Sequence, residues 1–444
     1  MSIFRSLNQN QKEAIGLLQI GTFLEYFDLM LYVHMAVLLN ELFFPKSDPH
    51  TEALMAAFAF CSTYVIRPFG ALLFGYIGDH IGRTTTVIIT TLMMAVSCTV
   101  MASLPTYAQI GIAATWLVTG CRIVQGLSSM GEIVGAEVYV TEITNPPVRY
   151  PAVGFIGAAS QLGSVFALGI ASLVTHFGFN WRIAFGIGAG IAVIGSVART
   201  RLRETPEFLE KIQQLRKKLD IENAQEKSIF AKAVKTQKLI NQLKMGKKTF
   251  WSYIVASFGW PLSFYLVFMY FTQPLKLLYG YTPEKIILHN FILSIFSLFF
   301  FILFSVISFR IDPFKIVKLR GKVCLASMIL LPFAINICSI PIHIFLLQIV
   351  LLASGMTLLP AYPIFLKNIP TLKRLTTASF IYALSRAVMY LVTSFSLVFL
   401  TETFGYYGLW LITLPITVGF IWAVNHFEKL ENAKIEEKLD LVAA

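Results

Sequence analysis

The sequence predicts an all-α membrane protein, with twelve transmembrane helices in two pseudo-symmetric six-helix bundles. Three observations predict it. The 444 residues are 56% apolar and 14% charged, with a mean hydropathy of +0.69, whereas soluble domains run about 45–50% apolar and about 25% charged. Apolar runs of the length a bilayer demands, roughly 20 residues, recur twelve times along the chain. The only long polar interruption, 203–249, divides them six and six.

The first six runs lie near residues 15–40, 54–77, 85–104, 109–138, 151–175 and 181–201. The second six lie near 250–275, 286–308, 321–340, 342–366, 375–400 and 405–425. The predicted organisation is therefore an N-terminal bundle (1–202), a cytoplasmic central loop (203–249), a C-terminal bundle (250–426) and a cytoplasmic tail (427–444). The opening MSIFRSLNQNQKEAIG has no signal-peptide cleavage pattern, so the first run is expected to stay as a helix. The halves are related in spacing: run one begins near Gly16 and run seven near Phe250, and the link at 75–83 has its counterpart near 308–316. Such repeats recur in secondary transporters, with binding sites near the midplane between them.

Lys and Arg in the links set the orientation. The side carrying the N-terminus holds 29 of the 36 basic residues, and the other side holds Lys46, Lys276 and Lys285. Both termini and the central loop are thus expected to be cytoplasmic. The net charge of +12 does not point to nucleic acid, because the basic residues sit in short links rather than on one folded face. The central loop alternates charge with Leu, Ile and Phe at helical spacing. It reads as surface helices, either a solvated connector or a lipid-binding or regulatory element. The five cysteines fall inside apolar runs without a CxxC pair, as buried small residues do, and suggest neither a disulfide frame nor a metal site.

Charges inside spans cost about 2.5–3.5 kcal/mol each near a helix centre, so those that persist mark function. The first half keeps Glu25, Asp28, His34, Arg67, Arg122, Gln125, Glu132 and Glu137; the second keeps mainly His289 and Arg386. Glu25 and Asp28, three apart, share a helical face. Two carboxylates in a low-dielectric site cannot both stay ionised cheaply. They are candidates for proton coupling together with Glu132, the alternative being permanent neutralisation by Arg67 or Arg122. Arg122 and Gln125 also share a face, and Arg67 precedes Pro68. These three are candidate substrate ligands, since a guanidinium holds a carboxylate by two parallel hydrogen bonds. Trp260, followed by Pro261, is the aromatic candidate for a quaternary ammonium.

Six stretches carry a family resemblance. GYIGDHIGRTT matches the Gly-x-x-x-Asp-x-x-Gly-Arg signature between helices two and three of the major facilitator superfamily, and RIVQG resembles that superfamily's Arg-x-x-Gln-Gly element. GTFLEYFDLMLY, IRPFGALLFGYIGD, QGLSSMGEIVGAE and WRIAFGIG with RETPEF resemble, in order, the metabolite:proton symporters of that superfamily, of the proline/betaine transporter type. The likeness covers about residues 20–210. Thr22, Tyr26 and Met130 depart from the family pattern, and the second-half signature is eroded to SFRIDPFKIVK, which keeps Asp312.

The resemblance implies that Gly75, Asp79, Gly82 and Arg83 form a gate. Asp79 would sit against the N-terminal amides of run eleven, near Leu375–Thr377, and pin the halves together. The implied protein is no enzyme and needs no cofactor beyond the proton as coupling ion. It is expected to be a monomer in a bacterial inner membrane, in contact with lipid and a small-molecule substrate. The expected activity is proton-coupled symport of a small polar metabolite, a zwitterion such as proline or betaine. A di- or tricarboxylate symporter, an uncoupled facilitator and a non-transporting sensor are the alternatives.

Overall fold

The structure, a computed structural model, describes residues 6–44, 49–81, 83–129, 133–177, 180–199, 210, 213 and 245–443. All regular structure among them is helical. The first three spans are α1 (Gln9–Phe43), α2 (Pro49–His80) and α3 (Arg83–Ser103). The fourth is two helices, α4 (Ile112–Ser128) and α5 (Ile133–Ile143), where the sequence predicted one run. The fifth and sixth are α6 (Arg149–Phe177) and α7 (Trp181–Arg199). The central loop's predicted surface helices lie almost entirely outside the described residues.

In the second half the seventh span is α8 (Lys247–Ser257), α9 (Gly259–Phe264), a π-helical stretch over Tyr265–Tyr270 and α10 (Thr272–Tyr279). Next come α11 (Pro283–Ile307) and α12 (Pro313–Ile337). The tenth span is again broken, into α13 (Pro341–Ser354) and α14 (Tyr362–Lys367). The last two are α15 (Arg374–Phe404) and α16 (Trp410–Ala443). On length and composition alone, five stretches among the described residues are long and apolar enough to cross a bilayer.

The boundaries follow from local chemistry. Proline opens α11, α12 and α13, where its missing N–H costs nothing. Gly280, at φ 63°, ends α10 in the left-handed conformation. The π-helical stretch frees carbonyls, and side chains from neighbouring helices meet them: Gln348 Nε2 donates to Val267 O at 2.7 Å and Asn290 Nδ2 to Phe268 O at 3.4 Å. The tail predicted from residue 427 continues α16 as far as Ala443, because no glycine or proline falls between Phe420 and Ala443. Lys318 and Glu428, 2.8 Å apart, tie α16 to α12.

The halves meet along two seams, α2 against α15 and α6 against α11. The half-chain repeat exchanges these seams, since it relates span two to eight and five to eleven. Large apolar side chains such as Phe69, Trp116, Ile337 and Phe399 cover the outside, as a lipid-facing surface requires. Buried polar groups lie at the seams and inside the bundles.

Candidate functional site

A void of about 80 Å³ lies between the halves, lined by Tyr26 of α1, Glu137 of α5, Gln161 of α6, Trp260 of α9 and Tyr382 and Arg386 of α15. A smaller one of about 20 Å³ shares Tyr26, Gln161, Trp260 and Arg386 and adds Arg67 and Tyr390. Arg386 is held in place by its own helix: Nη1 donates to Tyr382 O at 3.3 Å, and the guanidinium lies 3.2 Å from the Tyr382 ring centroid. The Tyr382 hydroxyl meets the Tyr26 hydroxyl at 2.5 Å, across the seam. The carboxylate of Glu137 has no hydrogen-bond or ion-pair partner among the described residues, and its charge and that of Arg386 act on each other. Trp260 stands edge-on to Phe301, with centroids 5.3 Å apart. One void therefore offers a guanidinium, a carboxyl group, an indole and several phenols in a low-dielectric setting, where any charge acts strongly.

The structure divides the residues singled out in the sequence. Trp260 and Arg67 line the voids. Arg67 is buried over the Tyr64 ring, at 4.2 Å, and its Nε and Nη2 have no partner among the described residues. Glu25, Asp28, Arg122 and Gln125 are all buried but line neither void. Glu25 Oε2 accepts from Ile133 N at 3.0 Å, so the carboxylate sits at the N-terminal end of α5, where the helix dipole favours negative charge. Asp28 Oδ1 accepts from Cys98 Sγ at 2.8 Å. Arg122 Nη1 donates to Gln125 Oε1 at 2.9 Å, and its guanidinium lies 3.6 Å from the Tyr32 centroid. Asp28 and Arg122 are within electrostatic reach, and Asp28 Oδ2, Arg122 Nε and Gln125 Nε2 have no partner among the described residues. These three form a polar cluster inside the first bundle. Glu132 lies outside the described residues.

At the end of the bundle that carries the N-terminus, the halves are joined by charge. Asp79 Oδ1 accepts from Leu375 N at 3.2 Å, and Oδ2 accepts from Thr376 N at 2.8 Å and Thr376 Oγ1 at 2.6 Å. The carboxylate thus sits on the first turn of α15, the partner expected from the sequence. Gly75 makes this approach possible: a Cβ there would lie 2.6 Å from Thr376 Cα. Beside it, Arg374 Nη1 and Glu142 Oε1 form a buried ion pair at 2.7 Å. Gly82 lies outside the described residues, as does the side chain of Arg83, which opens α3. The second-half copy acts locally: Asp312 Oδ1 accepts from Phe314 N at 2.8 Å and Lys315 N at 3.1 Å, capping its own helix.

Sequence reasoning passed over Glu137, Arg386, Tyr26, Gln161 and Tyr382 as site residues. Glu137 and Arg386 carried a usable signal, because both are charges inside spans. The phenols and Gln161 carried none until the seams were known.

A Major Facilitator Superfamily model matches residues 18–394. The proline/betaine transporter of Salmonella typhimurium is 35% identical over 215 residues, which cover 46% of this chain and 42% of that protein. The inner membrane metabolite transport protein YhjE of Escherichia coli is 34% identical over 226 residues, or 49% of this chain and 51% of that protein. The chain spans about half the length of the curated relatives it matches. Among solved structures, the proton:xylose symporter XylE of E. coli superposes with a TM-score of 0.74 at 16% identity, covering 94% of this chain and 95% of that one. The human organic anion transporter MFSD10 gives 0.68 at 12% identity, covering 95% and 100%. These likenesses establish the shared fold. With the in-order motifs, the two-seam architecture and a family match across most of its length, the chain belongs to the major facilitator superfamily.

Proposed function

We propose that this chain carries a small polar metabolite across a bacterial inner membrane by alternating access, in symport with protons. The metabolite is a zwitterion such as proline or a betaine. The observation that carries this reading is the void between the halves, with Glu137 and Arg386 on its wall. A zwitterion brings both charges, and each finds its complement there. Its carboxylate meets the Arg386 guanidinium, and its cationic end faces Glu137 and the ring of Trp260. Relatives named for proline, betaine and ectoine transport support the substrate class.

Both termini are taken as cytoplasmic from the basic links. The Asp79 and Glu142 contacts then close the void on the cytoplasmic side, and loading occurs from the other face. A proton reaching Asp28 removes a charge within electrostatic reach of Arg122, which frees the first bundle to tilt as the Asp79 latch opens. Release of substrate and proton to the cytoplasm resets the cycle. No cofactor enters, no bond in the substrate changes, and a single chain suffices.

Uptake of labelled proline into proteoliposomes with an imposed inward proton gradient tests this. Accumulation should be abolished by a protonophore and competed by excess glycine betaine. Accumulation that ignores the protonophore means a facilitator, and saturable binding without uptake means a sensor. A second reading rests on Arg67 and Arg386 lining one small void: two guanidiniums suit a dicarboxylate, and then citrate or 2-oxoglutarate competes while betaine does not.

A further inference from the structure

Arg320 of α12 is used by nothing described so far. It is buried, and among the described residues no carboxylate lies within ion-pair distance of it. Its Nε donates to Ala353 O at 3.0 Å, at the C-terminal end of α13 where the tenth span breaks, and its guanidinium lies 4.3 Å from the Phe304 centroid. The helix end and the ring offset part of the cost of burying a cation. Among the described residues Nη1 and Nη2 have no hydrogen-bond acceptor. A separate, much smaller void lies beside them, lined by Arg320, Ser305, Thr357, Phe301, Phe304 and Leu359. Thr357 Oγ1 accepts from Leu359 N at 3.3 Å, which leaves its O–H free to donate. Phe301, Thr357 and Leu359 also line the central void. Arg320 lies two turns from the start of α12 and Ser305 near the end of α11, so this pocket lies towards the latched end.

We propose that Arg320 and Thr357, with Ser305 beside them, form a second carboxylate-binding subsite between the central cavity and the latch. A planar carboxylate accepts two parallel hydrogen bonds from a guanidinium, and the Thr357 hydroxyl adds a third donor. A carboxylate leaving Arg386 towards the latched end meets Arg320 next, so the subsite is a release-side station. That role rests on the transport reading above, whereas carboxylate binding does not.

The test uses trifluoroacetate as the probe, with binding to the purified full chain in micelles followed by fluorine NMR. The wild type and Arg386→Gln should both bind it at the Arg320 subsite. Arg320→Gln should weaken that binding by about tenfold or more, the scale of hydrogen bonds to a charged group. Arg320→Lys should retain part of it. Choline, a cation without a carboxylate, should not compete there. Thr357→Val, which leaves Arg320 and its bond to Ala353 in place, should weaken binding by a smaller factor and guards against misfolding of the arginine variant. Trifluoroacetate binding unchanged in both Arg320→Gln and Thr357→Val overturns the proposal. If uptake fails but Arg320→Gln still removes trifluoroacetate binding, the transport reading falls and the subsite stands. The reverse pattern removes the subsite alone.

Discussion

Replacing Asp79 by Asn keeps the shape of the latch and removes its charge. The carboxylate accepts three hydrogen bonds from Leu375 and Thr376, at 2.6 to 3.2 Å. Hydrogen bonds to a charged group contribute about 1.5–3 kcal/mol each, and a carboxylate at a helix N-terminus about 0.3–1 kcal/mol, rising to ~2 when partly buried. Asn retains one acceptor oxygen but turns an amide NH₂ towards the remaining donors. The net loss is about 2–4 kcal/mol, which shifts the balance between latched and unlatched states by about 30- to 700-fold. Hydrogen exchange of the Leu375 and Thr376 amides reads this directly, because among the described residues their bonds across the seam go to Asp79 alone. Their protection should fall at least tenfold in Asp79→Asn. Asp312→Asn, which removes a cap within α12, should leave them unchanged. Full protection of both amides in Asp79→Asn would refute the latch.

Three further outcomes are expected. Gly75→Val places carbon where Thr376 now sits, an overpacking cost of about 1–3 kcal/mol, and the same exchange assay should show Leu375 and Thr376 losing protection although Asp79 is intact. Asp28→Asn preserves an acceptor for Cys98 and should abolish gradient-driven accumulation while leaving substrate binding; accumulation at wild-type level would remove Asp28 from proton coupling. Glu25→Gln withdraws the charge from the first amide of α5 and should cost about 0.5–2 kcal/mol, read as a lowered melting temperature with substrate affinity within twofold of wild type.

The sequence carried the twelve spans, because apolar length is a one-dimensional property. It also carried the latch, because Asp79 lies in a fixed motif and a helix start is recognisable at Leu375. The two breaks were hidden: the short polar stretch from Ser128 to Glu132 lies inside one long apolar run, as do Gly355 and Pro360. Glu25 was a proton-coupling candidate because it shares a face with Asp28; with the fourth span read as continuous, its bond to Ile133 at the start of α5 could not be foreseen. Spacing of three placed Asp28 alone on a face with Glu25, and Arg122 on a face with Gln125. Spacing cannot say whether that face looks into the void or into the bundle, and for Asp28 and Arg122 it is the bundle. Arg386 was visible as a charge in a span. Its place beside Glu137 on the wall of one void brings together residues 249 positions apart, through a seam that only the tertiary fold defines.

The central claim is that a wet passage between the halves, with Arg386 on its wall, holds the carried molecule. Concentration-dependent uptake of labelled proline into proteoliposomes under an imposed proton gradient, wild type against Arg386→Gln, tests it most directly. The claim predicts accumulation by the wild type and a half-saturation raised at least about tenfold in the variant, with both proteins melting alike. Equal half-saturation and equal accumulation in the two proteins would contradict it.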